Sequence, residues 1–185
     1  MKLTAIPTLP FTVDPGWTEI DRIHPRLARV YAGVVLPLSL LPPALLFLKG
    51  AAFFSPWLPE AAHKNWAVLA LAFFITELIS LIVMGWFIRA AAAMHDLKID
   101  DHDAFLLAGV APIPLWLSSL GLLMPGIGFN ITLSTVAFAL SCGIIHNGVA
   151  GLAHTRETVQ TAAVAHAVMS AGLMAWILLL LVIVL

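Results

Sequence analysis

An acidic residue and two histidines lie inside long apolar stretches of this 185-residue chain, where ionisable side chains are rare. Glu77 lies in the run from about Trp66 to Ile88, and His146, next to Asn147, and His166 lie in two later runs. An acid near the middle of a membrane span costs on the order of 2.5–3.5 kcal/mol, so it normally faces protein or a water-filled cavity. A contact between Glu77 and a histidine could relay a proton or hold a metal ion. Alternatively, a protonated Glu77 bonded to a histidine or a carbonyl group would only hold two helices together.

A second group of candidate residues combines histidine with carboxylate side chains between two apolar runs. It comprises His95, Asp96, Asp100, Asp101, His102 and Asp103, followed in a later polar segment by His154 and Glu157. Histidine and carboxylate suit zinc or another divalent metal, which makes His95, His102, Asp103 and His154 the candidate ligands. No His-x3-His or Cys-x2-Cys spacing fixes a geometry, and no cofactor is predicted. The acidic residues 100–103 also suit the N-terminus of a helix, where negative charge interacts favourably with the helix dipole.

No known catalytic motif is found in the sequence. Gly-x-Ser-x-Gly, a phosphate-binding glycine loop and His-Glu-x-x-His are all absent from the chain, so it is not predicted to be an enzyme. The serines within apolar runs, which include Ser118, Ser119 and Ser141, are expected to form hydrogen bonds between helices. Cys142 is the only cysteine, so no intrachain disulfide can form.

The composition is that of a membrane protein, with 61% hydrophobic and 10% charged residues. Crossing about 30 Å of hydrocarbon takes roughly 20 apolar residues in a helix, because each residue rises about 1.5 Å. Five stretches meet this requirement, at about 31–48, 66–88, 104–123, 129–152 and 161–185. We therefore predict an all-α bundle of five transmembrane helices, preceded by a cytoplasmic segment at 1–30. A net charge of −1 offers no basic surface for nucleic acid.

Proline residues interrupt the first and third predicted spans. Pro37, Pro42 and Pro43 lie in the first span, and Pro112 and Pro114 lie in the third. Proline in a helix interior removes a backbone hydrogen bond and kinks the helix, so both spans are predicted to be kinked or broken inside the bundle.

The segment before the first span carries the signature of a short amphipathic helix. Asp14-Pro15 is typical of an N-cap followed by proline at the first helical position. Trp17, Ile20 and Ile23 then recur every three residues. We predict a helix on the cytoplasmic membrane surface, with Trp17 at the depth of the lipid headgroups.

The distribution of lysine and arginine predicts the orientation in the membrane. With five spans, the N-terminal segment and the second and fourth loops share one side and hold seven basic residues, whereas the other side holds only Lys49 and Lys64. Because basic residues accumulate in cytoplasmic loops, the N-terminus is predicted to be cytoplasmic and the C-terminus outside.

Small residues recur every four positions along the last two spans. On the fourth span they are Ala139, Gly143 and Gly151, with Asn147 in the same series, and on the fifth they are Ala163, Ala167, Ala171 and Ala175. Such spacing lets two helix backbones approach closely in lipid. The two ridges are predicted to face one another, or one of them to face a partner chain.

Several short motifs follow one another from about residue 15 to the end. They are Pro15-x-Trp17-x-x-Ile20, the proline-bearing run 35–43, Asp103-x-Phe105 leading to Ala111-Pro112 and Trp116, the turn 124–128, and the glycine-bearing end of the fourth span. In this order they resemble bacterial members of the Yip (Ypt/Rab-interacting protein) family. The resemblance implies a five-helix fold in a bacterial inner membrane with a cytoplasmic N-terminus, and it transfers no catalytic residues.

Eukaryotic Yip proteins look like membrane organisers that bind small GTPases and one another. Their long cytosolic N-terminal region has no counterpart in the roughly 30 residues before the first span, so GTPase binding is not expected to carry over. The predicted function is therefore interaction within the lipid bilayer, with itself or with another membrane protein, as a scaffold, organiser or accessory subunit. The alternative is a small transporter or proton pathway built on Glu77, His146 and His166.

Overall fold

The structure of the chain, a computed structural model, describes residues 9, 11, 16–124, 126–153 and 159–184. These residues form helices and turns, without a strand among them. The α-helices are α1 (Gly16–Ile23), α2 (Leu27–Val30), α3 (Leu36–Ser39), α4 (Leu41–Phe54), α5 (Trp66–Met94), α6 (Asp101–Val110), α7 (Ile113–Ser118), α8 (Ile127–Leu152) and α9 (Val159–Val184). A π-helical segment occupies Tyr31–Val35, and 3-10 segments occupy Pro59–His63 and Ser119–Leu123.

Five helical segments are long and apolar enough to cross a membrane. We call them the first to fifth spans, and they cover Leu27–Phe54, Trp66–Met94, Asp101–Leu123, Ile127–Leu152 and Val159–Leu181. The predicted all-α, five-helix architecture is thereby confirmed, and the chain has the organisation of a multi-pass membrane protein. Several spans are longer than the predicted apolar runs. Their helices continue through charged residues such as Lys49 and Arg89, because the backbone hydrogen bonds of a helix do not require an apolar side chain.

Many large side chains on the outside of the bundle are apolar, as a lipid environment requires. Along α5, Leu71, Ile75, Ile79, Val83 and Trp86 are all about half exposed or more. A continuous apolar surface of this length on a water-soluble protein would drive aggregation. In a bilayer the same surface contacts lipid chains.

The first span is broken where its prolines require it. The π-helical segment Tyr31–Val35 lies just before Pro37. A proline ring clashes with the carbonyl group four residues earlier, here that of Gly33, and the wider π-helical turn relieves this clash. The helix breaks again at Leu40, and Pro42 and Pro43 then occupy the first turn of α4, where a missing N–H group costs little.

The third span lies at the centre of the bundle and is the most buried of the five. Asp100 caps its start by accepting a hydrogen bond from the Asp103 backbone N–H at 2.8 Å. The helix breaks between α6 and α7 at Ala111 and Pro112. The predicted kinks in the first and third spans are thus confirmed.

Helix α1 is amphipathic as predicted, but its tryptophan packs against protein and does not face lipid. Trp17 is fully buried, at 0% exposure, and its indole N–H donates a 3.3 Å hydrogen bond to the Leu9 carbonyl oxygen. Its ring lies against Gly148 of α8, where the absence of a side chain leaves room. A lipid-facing Trp17 is therefore not observed, because the periodicity of a short helix does not distinguish a lipid surface from an apolar protein surface. Asp14 and Pro15, the predicted start of this helix, lie outside the described residues.

Candidate functional site

A cavity of about 420 Å³ lies in the middle of the bundle, and all five spans contribute to its wall. On α5 its lining runs from Phe73 to Ile88, which corresponds to about 22 Å along the helix. The lining is mostly apolar and includes the rings of Phe138 and Trp176, which meet 6.1 Å apart between α8 and α9. Its size falls within the range of roughly 300–1,000 Å³ typical of small-molecule sites.

The cavity is partly open, and the exposed residues of its lining show where. The exposed residues of the lining are Ile127, Ile131 and Thr135 in the first half of α8 and Leu180 near the end of α9. The Thr135 hydroxyl donates to the Ile131 carbonyl oxygen of its own helix at 2.8 Å. Because α8 and α9 run antiparallel, these residues lie at the same end of the bundle. Three of these four residues are apolar, and a mostly apolar rim favours entry from the hydrocarbon of the bilayer rather than from water.

Glu77 is the acidic residue in the wall of the cavity. Helix α5 holds its side chain inside the bundle at 3% exposure. The Trp116 indole of α7 hydrogen-bonds to the carboxyl group. The second carboxyl oxygen, Oε2, has no hydrogen-bond partner within the described part of the chain.

Most of the other polar side chains in the wall are satisfied by their own helix. Ser80 donates to the Glu77 carbonyl oxygen at 2.7 Å, Ser118 to that of Leu115 at 2.8 Å, and Ser119 to that of Trp116 at 2.6 Å. The expectation of bonds between helices is therefore wrong for Ser118 and Ser119, because a serine hydroxyl in a helix can reach the carbonyl group one turn earlier.

Ser141 of α8 is the exception among these serines. It lines the cavity at 4% exposure, and its Oγ has no partner among the described residues. An unpaired buried polar group costs about 1–3 kcal/mol, and native proteins keep few of them. The Oε2 atom of Glu77 and the Oγ atom of Ser141 are thus two unpaired polar groups in the wall of one cavity.

Neither a protein-family model, nor a curated protein, nor a solved structure matches this chain. The cavity is therefore interpreted from its own chemistry. Long apolar walls would hold a hydrocarbon chain, whereas Glu77 and Ser141 would bond to a hydroxyl or amine group.

The two histidines that the sequence places with Glu77 lie elsewhere in the bundle. His166 is exposed on α9, and its Nδ1 bonds to the Ala162 carbonyl oxygen of its own helix at 2.7 Å. His146 is half-buried on α8, beside the half-buried Asn147. Neither histidine is part of the cavity wall.

The small-residue ridges are only partly buried. Gly151 is buried, Gly143 is half-buried and Ala139 is exposed on α8. On α9, Ala163, Ala167, Ala171 and Ala175 are all half-buried. Helices α8 and α9 do pack against each other, yet part of each ridge remains accessible.

Of the predicted metal ligands, His102 and Asp103 come together with a residue that the sequence prediction did not include. That residue is His24, and one ligand atom from each of the three side chains lies within 4.8 Å of the others. His95 is not part of this group, and His154 lies outside the described residues. His24 is 78 positions from His102, so no local spacing could have identified it.

Proposed function

We propose that this protein binds an amphiphilic, lipid-like molecule inside its five-helix bundle. The observation that carries the proposal is the cavity, with its mostly apolar rim and the unpaired Oε2 of Glu77 in its wall. A hydrocarbon chain would replace the missing contacts along the apolar wall, and a hydroxyl or amine group would bond to Glu77 and Ser141. The protein would thus act by binding rather than by catalysis.

The orientation of the chain in the membrane decides from which leaflet the ligand would enter in this proposal. If the N-terminus is cytoplasmic in a bacterial inner membrane, the rim at Ile127 and Leu180 lies in the outer half of the bilayer. The ligand would then enter from the outer leaflet. Cysteine labelling from either side of oriented vesicles, at exposed positions such as His63 and Met94, tests this orientation.

The binding itself can be followed through the tryptophans of the cavity wall, Trp116 and Trp176. A long-chain alcohol brominated along its chain quenches tryptophan fluorescence on contact. We expect a saturable component of quenching in nanodiscs, in addition to the gradual quenching of lipid-facing tryptophans such as Trp86. Quenching without a saturable component would contradict the proposal.

Gly172→Leu is expected to abolish this saturable component. Gly172 lines the cavity, and a Cβ atom built there meets nothing within 4 Å, so a leucine side chain can start there and is expected to occupy the cavity. Gly33→Leu is the matched control, because Gly33 has equally open surroundings and lies outside the cavity wall. Equal loss of binding in both variants would show that the effect is not specific to the cavity.

A second candidate function, assembly with itself or another membrane protein, is supported by the half-buried ridge of α9. This is also the function that the Yip resemblance implies. Ala163, Ala167 and Ala171 leave a strip of small side chains accessible to a further helix.

Ala167→Leu, on this ridge, is expected to reduce the oligomer mass measured in nanodiscs or mild detergent, because leucine prevents close approach of a second backbone. Ala67→Leu on the exposed side of α5 serves as the control. An unchanged mass for Ala167→Leu would count against assembly through α9.

A further inference from the structure

The segment after α1 meets the start of the third span through two histidines and an aspartate. The rings of His24 and His102 lie with their centroids 4.8 Å apart, tilted by 39°. Asp103 follows in the first turn of α6, and its side chain is only 9% exposed. One potential ligand atom from each of these side chains lies within 4.8 Å of the other two.

The hydrogen bonds of His102 determine which of its ring nitrogens can bind a cation. Nε2 lies 2.8 Å from the Pro25 carbonyl oxygen, and a carbonyl oxygen only accepts, so Nε2 carries the proton. In the neutral ring Nδ1 then has a free lone pair, and it faces the Asp103 Oδ1 atom at 3.1 Å. The lone pairs on Nδ1 and Oδ1 repel each other at this distance unless a cation or an additional proton lies between the two atoms.

This arrangement is characteristic of histidine ligands in metal sites. A ligating histidine usually donates its other ring N–H to a backbone carbonyl or a carboxylate, which holds the ring and selects the tautomer. The bond from His102 to Pro25 does this before any ion arrives. Asp100 and Asp103 add negative charge next to the ring.

His24 has a backbone conformation that is uncommon for residues other than glycine. Its φ angle is +41°, in the left-handed region where glycine commonly ends a helix. A histidine there costs conformational energy that glycine would not, yet it directs an imidazole toward His102 and Asp103. Because His24 is exposed, rotation of its side chain can shorten the remaining distance to an ion.

We infer that His24, His102 and Asp103 form a binding site for a divalent transition-metal ion of the zinc type. Two imidazole nitrogens and one carboxylate oxygen are a ligand set that zinc accepts, with water completing a tetrahedron. Metal–nitrogen bonds of about 2.0–2.1 Å place neighbouring ligand atoms roughly 3.3 Å apart, close to the present Nδ1–Oδ1 distance. The ion would fasten the end of α1 to the central third span.

The test uses the full chain, purified with a tag that contains no histidine and treated with a chelator. Titration with Co²⁺ is expected to give visible absorption bands at one equivalent per chain, and Zn²⁺ is expected to displace them. Binding of Zn²⁺ should also raise the melting temperature of the chain. His24→Gln should abolish these effects without disturbing the bond between His102 and Pro25.

Two further histidines serve as controls. The variants His63→Gln, at the exposed end of the 3-10 segment Pro59–His63, and His95→Gln, at the end of α5, are expected to bind one equivalent as the unaltered chain does. Absence of the cobalt bands from the unaltered chain would overturn the inference and leave a proton shared between His102 and Asp103 as the cation. Unchanged binding in His24→Gln would overturn it equally.

Discussion

Gly148→Val is expected to lower the melting temperature of the purified protein by on the order of 5 °C. A Cβ atom at Gly148 would lie 2.6 Å from Cδ1 of Leu107 and 3.0 Å from the Trp17 ring. Both neighbours are fully buried, at 0% exposure, so neither can move without disturbing the core. Overpacking of this kind costs about 1–3 kcal/mol.

The same substitution should also release α1 from the bundle. Gly148 is the point at which Trp17 contacts α8, so proteolytic cleavage of the N-terminal segment is expected to become faster. Gly33→Val is the control, because a Cβ atom at Gly33 meets nothing within 4 Å. Equal melting temperatures and cleavage rates for the two variants would contradict the packing of α1 on α8.

Glu77→Met is expected to weaken binding of the brominated alcohol by about 5- to 30-fold, because the loss of hydrogen bonds to a buried ligand removes roughly 1–2 kcal/mol. The melting temperature should change by only about 3 °C. Methionine removes the unpaired Oε2 atom, which favours folding, but it also removes the acceptor of the Trp116 indole, which opposes folding. These two effects are similar in size.

Glu77→Gln separates the two roles further. Its amide oxygen can still accept the Trp116 hydrogen bond, so stability should match that of the unaltered chain, whereas affinity should fall between those of the unaltered chain and Glu77→Met. If Glu77 instead only joins helices, Glu77→Met will melt at a clearly lower temperature and will bind the alcohol with unchanged affinity. Fluorescence quenching and thermal unfolding on the same samples distinguish the two outcomes.

The sequence alone determined the helices and the places where they break. Lipid offers no hydrogen bonds to a backbone, so a run of about 20 consecutive apolar residues must form a helix to cross it. Five such runs therefore predicted five helices. The break that Pro37, Pro42 and Pro112 cause arises from a clash and a lost hydrogen bond at carbonyl groups of their own helix. Because this effect is local, the sequence is enough to predict it. The acidic N-terminus of the third span, with Asp100 as its cap, is likewise a property of neighbouring residues.

Only the tertiary structure decided which side chains meet. Glu77 lies in a cavity with Ser141 in the same wall, His24 stands beside His102, and Trp17 is buried against Gly148. Each pair joins residues more than 60 positions apart, so its distance depends on how the helices pack and rotate against one another. An apolar helix face has the same pattern whether it contacts lipid, protein or a cavity, because all three exclude water. Packing distinguishes them through the space left between helices, which no local pattern encodes.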